Sequence, residues 1–264
     1  MKTELIILKL GGSLLTDKNE PFSIRNEILE QSVNEIVKSK KKVIIVHGGG
    51  SFGHPVAKKY GISDGYNRDI ENQIFGLAKT HEAMVKLNSI VINSFLEKNF
   101  PVIAIEPYSM FIKEPKGITF NGLGIIDSTL KMGVTPILFG DIVLDTEKIF
   151  SIISGDLIIL ELCKRIQKFS ISKVIFAFDM DGIFIEKNGN IEFLNEVKIT
   201  QIDSLNLANL DKKIDVTGGI RSKLKVIKKI GELKIPVQIL NGLNENLLFK
   251  GIMNENVKST VIYR

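Results

Sequence analysis

The 264-residue sequence has one cysteine and three histidines. A lone thiol excludes a disulfide framework and a cysteine-rich zinc site, and it points to a reducing compartment. No apolar run approaches the length of a membrane span. The opening Met1-Lys2-Thr3-Glu4 leads into an apolar stretch too short for a signal peptide's apolar region plus cleavage site. These absences give the expectation of a cytoplasmic globular protein with no membrane partner. A basic tail or stripe is missing too. Lys and Arg number 35 against 30 Asp and Glu, and the resulting +5 is mild for this length. It suits an anionic small molecule and falls short of a nucleic-acid-binding surface. No Gly-Lys-Ser/Thr follows any glycine turn, which excludes a Walker-type phosphate loop. No Pro/Gly/Ser-rich linker and no short-period repeat divides the chain.

What is present is a core-forming composition, 44% hydrophobic and 25% charged, on a chain long enough for one or two domains. Short Ile/Val-rich runs predict strands at Leu5–Leu10, Val43–Val46, Val102–Ile105, Thr135–Phe139, Lys173–Phe178, Val237–Leu240 and near Ser259–Tyr263. Longer 3.6-residue periodicity predicts helices over Ile24–Ser39 (Ser23 as N-cap), about Asp69–Glu97, about Asp156–Gln167 and about Gly219–Leu233. On the second of these, Ile70, Ile74, Leu77, His81, Met84, Leu87 and Val91 mark the inner side. Hairpins are expected around Lys116–Gly124 and Ile142–Ile153. The alternation predicts an α/β fold: a mostly parallel central sheet with helices on both faces, a three-layer sandwich with fringing hairpins. Residues 1–264 read as a single unit of two lobes, about 1–168 and about 169–264.

Four glycine turns adjoin the apolar runs: Lys9-Leu10-Gly11-Gly12-Ser13, Gly48-Gly49-Gly50-Ser51-Phe52-Gly53-His54, Ser154-Gly155-Asp156 and Thr217-Gly218-Gly219. In an open parallel sheet such turns gather outside the carboxyl ends of the strands, where ligands bind. Their backbone N–H groups form anion nests, and a following helix N-terminus adds partial positive charge. Tight turning alone accounts for one glycine turn; four with lysines beside them favour phosphate binding. Gly48-x-Gly50-x-x-Gly53 also matches a dinucleotide fingerprint, but it follows the second strand and the acidic residues at 69 and 71 open a helix, so that reading is a decoy.

Lys9 interrupts an apolar strand just before a turn, which is rare for lysine unless it is paired or on an edge strand. At a strand tip its ammonium would meet anionic oxygen, and Lys18 could reach the same place or remain a solvated surface lysine. Lys223, one helical turn past Gly219, points back toward the turn's amides and could clamp a phosphate. Asp156 either caps a helix or orients the lysines. His54, following an anion nest, can donate a hydrogen bond to phosphate. His47 reads as structural, His81 as a packed core residue, and Cys163 as helix-interior packing.

Together Lys9-Leu-Gly-Gly-Ser13, the Gly48–Gly50 turn, Ser154-Gly-Asp156, Asp179-Met-Asp-Gly182 and Asp215-Val-Thr-Gly-Gly-Ile-Arg-Ser-Lys223 resemble the amino acid kinase superfamily, in order and over nearly the whole chain. Within it, His47-Gly-Gly-Gly-Ser-Phe-Gly-His54-Pro55 is similar to the isopentenyl phosphate kinase branch, with fosfomycin kinase as that branch's nearest kin. The resemblance implies transfer of the ATP γ-phosphoryl group to isopentenyl phosphate, with Mg²⁺ carried on the nucleotide and a homodimer as the assembly. It implies that Lys9, Gly11, Gly12, Ser13 and Gly50 approach the ATP phosphates. Gly49 and His54 would hold the acceptor phosphate with Gly155 beside it, and Lys18 would neutralise charge in transfer. Asp179 and Gly182 would lie on the nucleotide side, with Gly218 and Lys223 at the β and γ phosphates. Residues 1–168 would then favour the acceptor and residues 169–264 the nucleotide. Phe178 is a departure, standing where relatives often carry Thr. Tyr66, Ile70, Ile74, Phe75 and Met84 are candidates for an isoprenoid pocket. Other readings are a kinase for a different phosphate or phosphonate acceptor and a non-catalytic nucleotide sensor.

Overall fold

The computed structural model describes residues 2–208 and 219–264. In chain order the elements are β1 (Glu4–Leu10), α1 (Gly12–Leu15), α2 (Asn26–Ser39), β2 (Val43–His47), α3 (Gly50–Lys59), α4 (Gln73–Leu96), β3 (Val102–Ala104), β4 (Phe111–Glu114), β5 (Gly117–Phe120), α5 (Leu123–Lys131) and β6 (Thr135–Phe139). Then follow β7 (Asp141–Asp145), β8 (Ile149–Ile153), α6 (Gly155–Arg165), β9 (Ser170–Phe178), β10 (Ile183–Lys187), β11 (Asn190–Leu194), β12 (Glu196–Lys198), α7 (Gly219–Glu232), β13 (Val237–Asn241), α8 (Leu247–Ile252) and β14 (Ser259–Tyr263).

Eight strands form one sheet in the order β12-β14-β13-β9-β1-β2-β6-β3. All neighbours run parallel except β13 and β14. Because strand side chains alternate between faces, the continuous apolar runs bury two sets at once. Leu5 and Ile7 of β1 join a core with Ile126 of α5, Ile159 of α6 and Ile227 of α7. Ile6, Leu8 and Leu10 join the opposite core with Val33 of α2, Leu87 of α4 and Ile252 of α8. The three-layer sandwich is therefore as expected. Each fully buried Leu or Ile stabilises the fold by about 1.5–3 kcal/mol. A charge in such a run needs a partner to persist.

Smaller sheets fringe the core, one of order β5-β4-β7-β8 and one hairpin of β10 and β11. Several expected boundaries shift. The hairpin near Lys116 spans Phe111–Phe120, and the segment from Leu123 is helical instead. Ser23 does not cap α2, whose N-cap is Arg25. Ser23 instead exchanges hydrogen bonds with the Ser51 hydroxyl, at 3.2 and 3.1 Å. The long helix starts at Gln73, and Ile74 is 55% exposed. Its inner face includes Gln73, Gly76 and Thr80, because this helix is apolar over much of its circumference and periodicity alone does not choose a face. The helices α3 and α8 and the β10–β11 hairpin are short segments that the sequence pattern does not single out.

A buried cation on β9 yields a stability prediction. Lys173 Nζ donates to the Gly251 carbonyl and to Asn254 Oδ1, at 2.7 Å for the latter, at the C-terminal end of α8. Burial, with a further contribution from Lys41, lowers its pKa to about 8. Between that value and the ordinary lysine value the unfolded chain binds more protons than the folded one, so this group's contribution to stability rises with pH across that window. Denaturant midpoints measured from pH 8 upward should show this rise in the native chain and lack it in Lys173→Met. An identical slope in both would refute it.

Candidate active site

The carboxyl ends of β1, β2, β6 and β9 converge, and hydrogen bonds extend the ladder past the strands. Gly11 N–H donates to Ala177 O at 2.9 Å, Gly48 N–H to Leu10 O at 3.1 Å, and Gly140 N–H to His47 O at 3.1 Å. These bonds hold the glycine turns of neighbouring strands side by side. The turns of β1 and β2 touch through backbone. A Cβ on Gly12 would lie 2.4 Å from Gly50 N, and one on Gly48 would lie 2.7 Å from Gly12 N. Gly50 adopts φ +47°, and a Cβ there would fall 2.0 Å from Thr16 Oγ1. Only glycine allows this approach. Gly49 and Gly53 are held from behind by Met84 of α4, whose Sδ lies 3.0 and 2.6 Å from their Cβ positions.

Lys9 sits in the interior of the sheet, between β2 and β9, so the edge-strand alternative is excluded. It is 5% exposed and ion-paired to Asp156, itself 8% exposed, in the first turn of α6. Ser154 caps that helix, its Oγ accepting from Leu157 N–H at 3.2 Å, which leaves the Asp156 carboxylate for the lysine. Burial pulls the Lys9 ammonium below the ordinary lysine range; Asp156 opposes this and Lys223 adds to it. Lys223, in the second turn of α7, and Lys9 both lie over the Phe178 ring, 5.9 and 5.5 Å from its centroid. Two cations thus share one aromatic surface. Gly155 closes the floor, its Cβ position 3.7 Å from Lys9 Cε and 3.4 Å from His47 O.

Lys18 reaches the residue after Phe178, beside the first glycine turn. It pairs with Asp179 at 3.3 Å, and Ser13 Oγ donates to the same carboxylate at 2.7 Å. Burial raises the Asp179 pKa, but the Ser13 hydrogen bond and the Lys18 charge outweigh it and hold the carboxyl below its usual range. Gly182, at φ +150°, has its Cβ position 2.3 Å from Thr260 Oγ1, so its turn is packed against β14. His54 lies exposed on α3, one residue past Gly53. Gly218 lies outside the described residues. His47 is buried, its Nε2 3.1 Å from Asn88 Oδ1 and its ring stacked on Phe139, in keeping with a structural part. Cys163 is buried, and burial pushes its thiol up to about 12, which leaves it unreactive.

His81 corrects the expectation of a packed core residue. It is partly exposed and its Nδ1 is 2.9 Å from Asp141 Oδ2, a fully buried carboxylate. The hydrogen bond to Asp141 raises the His81 pKa, while burial raises that of Asp141. The one sequence sign of this pair is a Gly140-Asp141 step directly after a buried strand. Of the pocket candidates, Met84 is buried at the glycine turn, Ile74 and Phe75 are exposed, and the Tyr66 ring lies 6.3 Å from that of Phe150. A cavity of about 490 Å³ beside Phe75 runs between α3 and α4, lined also by Phe22, Pro55, Val56 and Tyr60.

The pattern that describes the amino acid kinase family matches residues 4–241. The chain is 36% identical to the isopentenyl phosphate kinase of Methanocaldococcus jannaschii, over 95% of this chain and 96% of that protein. It is 34% identical to the isopentenyl phosphate kinase of Methanothermobacter thermautotrophicus, over 98% of each. A solved isopentenyl phosphate kinase structure superposes with a TM-score of 0.83 at 30% identity, covering 98% of this chain and 99% of that one. With its strand-tip lysine, paired glycine turns and three-layer sheet, the chain belongs to the amino acid kinase family.

Proposed function

We propose that this protein transfers the γ-phosphoryl group of ATP to isopentenyl phosphate, giving isopentenyl diphosphate and ADP. The observation that carries the reading is the buried Lys9–Asp156 pair, with Gly155 against Lys9, beside two glycine turns in backbone contact. Two glycine turns in backbone contact, with cations beside them, suit a reaction that joins two phosphates. The similarity to isopentenyl phosphate kinases over nearly the whole chain supports the choice of acceptor.

Phosphoryl transfer needs alignment and neutralisation of spreading negative charge, with little covalent work for the protein. The acceptor phosphate is already largely ionised at pH 7, so its oxygen attacks without a base. The new bond joins that oxygen to the γ-phosphorus as the bond to the β-phosphate oxygen breaks, and ADP leaves with the electron pair. Lys9 and Lys223, both over the Phe178 ring, oppose the charge on the transferring group. Asp156 fixes the Lys9 ammonium. The Gly11 amide is spent on Ala177 O, so Gly11 lets the phosphates approach, while the amides at Gly12 and Ser13 and at Gly50 take ATP phosphate oxygens and those near Gly49 and Gly155 take the acceptor. Lys18, paired to Asp179 beside Ser13, neutralises charge in transfer; Asp179 borders the nucleotide side, and residues 169–264 form that lobe. Mg²⁺ belongs to the nucleotide in this reading. Among the described residues no three His, Cys, Asp or Glu side chains converge as a ready ligand set, and Asp179 is engaged by Ser13 and Lys18. The proposal includes a homodimer in the cytoplasm. No helix among the described residues is long and apolar enough to cross a membrane.

His54, placed after the nest, is the donor we assign to the acceptor phosphate. His54→Ala should lower kcat/KM for the acceptor on the order of 10²-fold while KM for ATP stays within about twofold. Unchanged acceptor kinetics would remove His54 from the site. The functional reading itself is tested by coupled ADP release with isopentenyl phosphate, dimethylallyl phosphate, fosfomycin, glutamate and UMP as acceptors. Turnover of UMP or glutamate with none of isopentenyl phosphate would overturn it.

A further inference from the structure

The long helix α4 does more than cover the sheet. Three of its turns touch three different parts of the region beyond the strand tips. Asn88 Oδ1 meets His47 Nε2 at the tip of β2, 3.1 Å away. Met84 presses against Gly49 and Gly53 from behind. His81 Nδ1 meets Asp141 Oδ2, at the first residue of β7. Asp141 in turn receives its neighbour's amide, Ile142 N–H donating to Oδ1 at 2.8 Å, so the carboxylate is held by both oxygens.

The Asp141 end is equally well placed. Gly140, its neighbour in sequence, donates to His47 O, and a Cβ on Gly140 would lie 3.3 Å from Gly155 N. The Gly49–Gly53 turn, backed by Met84, follows the tip of β2, and the Gly140–Gly155 corner is hydrogen-bonded to that same tip through His47 O. The His81–Asp141 pair ties the helix behind the turn to the corner. A buried carboxylate keeps a fixed partner because leaving it unpaired is costly. The tie therefore has one geometry, whereas an apolar contact there could slide.

We infer that His81 is a positioning residue for the acceptor: by anchoring α4 to Asp141 it sets the spacing between the Gly49–Gly53 turn and the Gly140–Gly155 corner, and so the fit of the acceptor phosphate between them. Gly50, the one residue of that turn assigned to ATP, is held separately by its close packing on Gly12 and Thr16, so the loss of the tie falls first on the acceptor side. This inference rests on the proposed function for the identity of the acceptor.

Steady-state kinetics on the full chain test it, with isopentenyl phosphate and ATP varied separately. His81→Ala should raise KM for isopentenyl phosphate about tenfold and leave KM for ATP within about twofold. His81→Gln, whose amide can still donate to Asp141, should return the acceptor KM to within about threefold of the native value. If His81→Ala does not fold, Asp141→Asn replaces it: its single oxygen can accept from Ile142 N–H or from His81 but not from both, which breaks the two-sided hold, and a selective rise in acceptor KM is again expected. Equal rises in both KM values, a fall in kcat alone, unchanged kinetics, or failure of His81→Gln to rescue would each overturn the inference. Absence of isopentenyl phosphate turnover by the native chain in the same assay would overturn the functional reading instead, which separates the two failures.

Discussion

Lys9→Met lowers kcat on the order of 10³-fold, the loss expected when a preorganised charge is removed from a water-excluded site. Methionine keeps the apolar stem that packs near Phe176 and Phe178 and removes only the ammonium. The substitution also strands Asp156, 8% exposed, as an unpaired buried carboxylate. Breaking such a pair from one side costs about 3–5 kcal/mol of stability. Loss of activity in the single variant could therefore be a folding effect, and a second substitution separates the two. In Lys9→Met/Asp156→Leu both charges are gone, and stability should return to the native level or above, since a buried pair replaced by apolar groups is often neutral or better. Activity should stay at the level of the single variant. Denaturant midpoints and kcat measured on both variants decide the matter. Recovery of activity with stability would show that Lys9 serves only the fold.

The same pair predicts a pH effect. Lys9 acts as a cation, so activity is lost as pH rises through its pKa. Burial places that pKa below the ordinary lysine range, with Asp156 as the opposing influence. Asp156→Asn removes the opposition and should move the alkaline limb of kcat to lower pH. An alkaline limb that does not move would break the assigned coupling.

Gly12→Ala should abolish measurable turnover and destabilise the fold by about 3 kcal/mol or more, within the range of severe overpacking. The added methyl would lie 2.4 Å from Gly50 N, 2.8 Å from Gly50 Cα and 3.2 Å from the carbonyl carbon of Gly48. All three are backbone atoms, so no side chain can swing aside. Relief requires the two glycine turns to separate, which widens the distance across which the phosphates must be joined. Gly124→Ala is the control. Gly124 lies early in α5 with nothing within 4 Å of its Cβ position, and alanine there should be neutral or stabilising by up to about 1 kcal/mol. Thermal midpoints and turnover of both variants test the contrast. A Gly12→Ala protein with native stability and turnover would refute the close-packed turns.

The layers were legible because buried parallel strands need apolar residues on both faces, and such runs as Leu5–Leu10 and Thr135–Phe139 stand out without any long-range information. Lys9 was legible for the same reason, as a charge out of place in an apolar run. The inner face of the long helix was legible at Met84, Leu87 and Val91 but not in its first turns, where Gln73, Gly76 and Thr80 are buried and Ile74 is exposed. With apolar residues around much of α4, the choice was made by Tyr60 against Gly76 and by Met84 against two glycines, contacts that spacing does not encode. Lys18 and Lys223 both follow glycine turns at similar distances in sequence. The fold sends one to Asp179 and the other to the Phe178 surface that Lys9 shares.

By itself, then, the sequence determined the layered α/β architecture, the strand ends at which anions would gather, and the family to which those motifs belong. These follow from local chemistry: apolar periodicity, glycine at turns, and a lysine where a hydrophobic residue is the rule. Only the tertiary structure decided which charges meet. Lys9 and Asp156 are 147 positions apart, and His81 and Asp141 are 60 apart. Such pairs are set by strand order and helix packing, because a buried charge is stable only where the fold delivers its counter-charge.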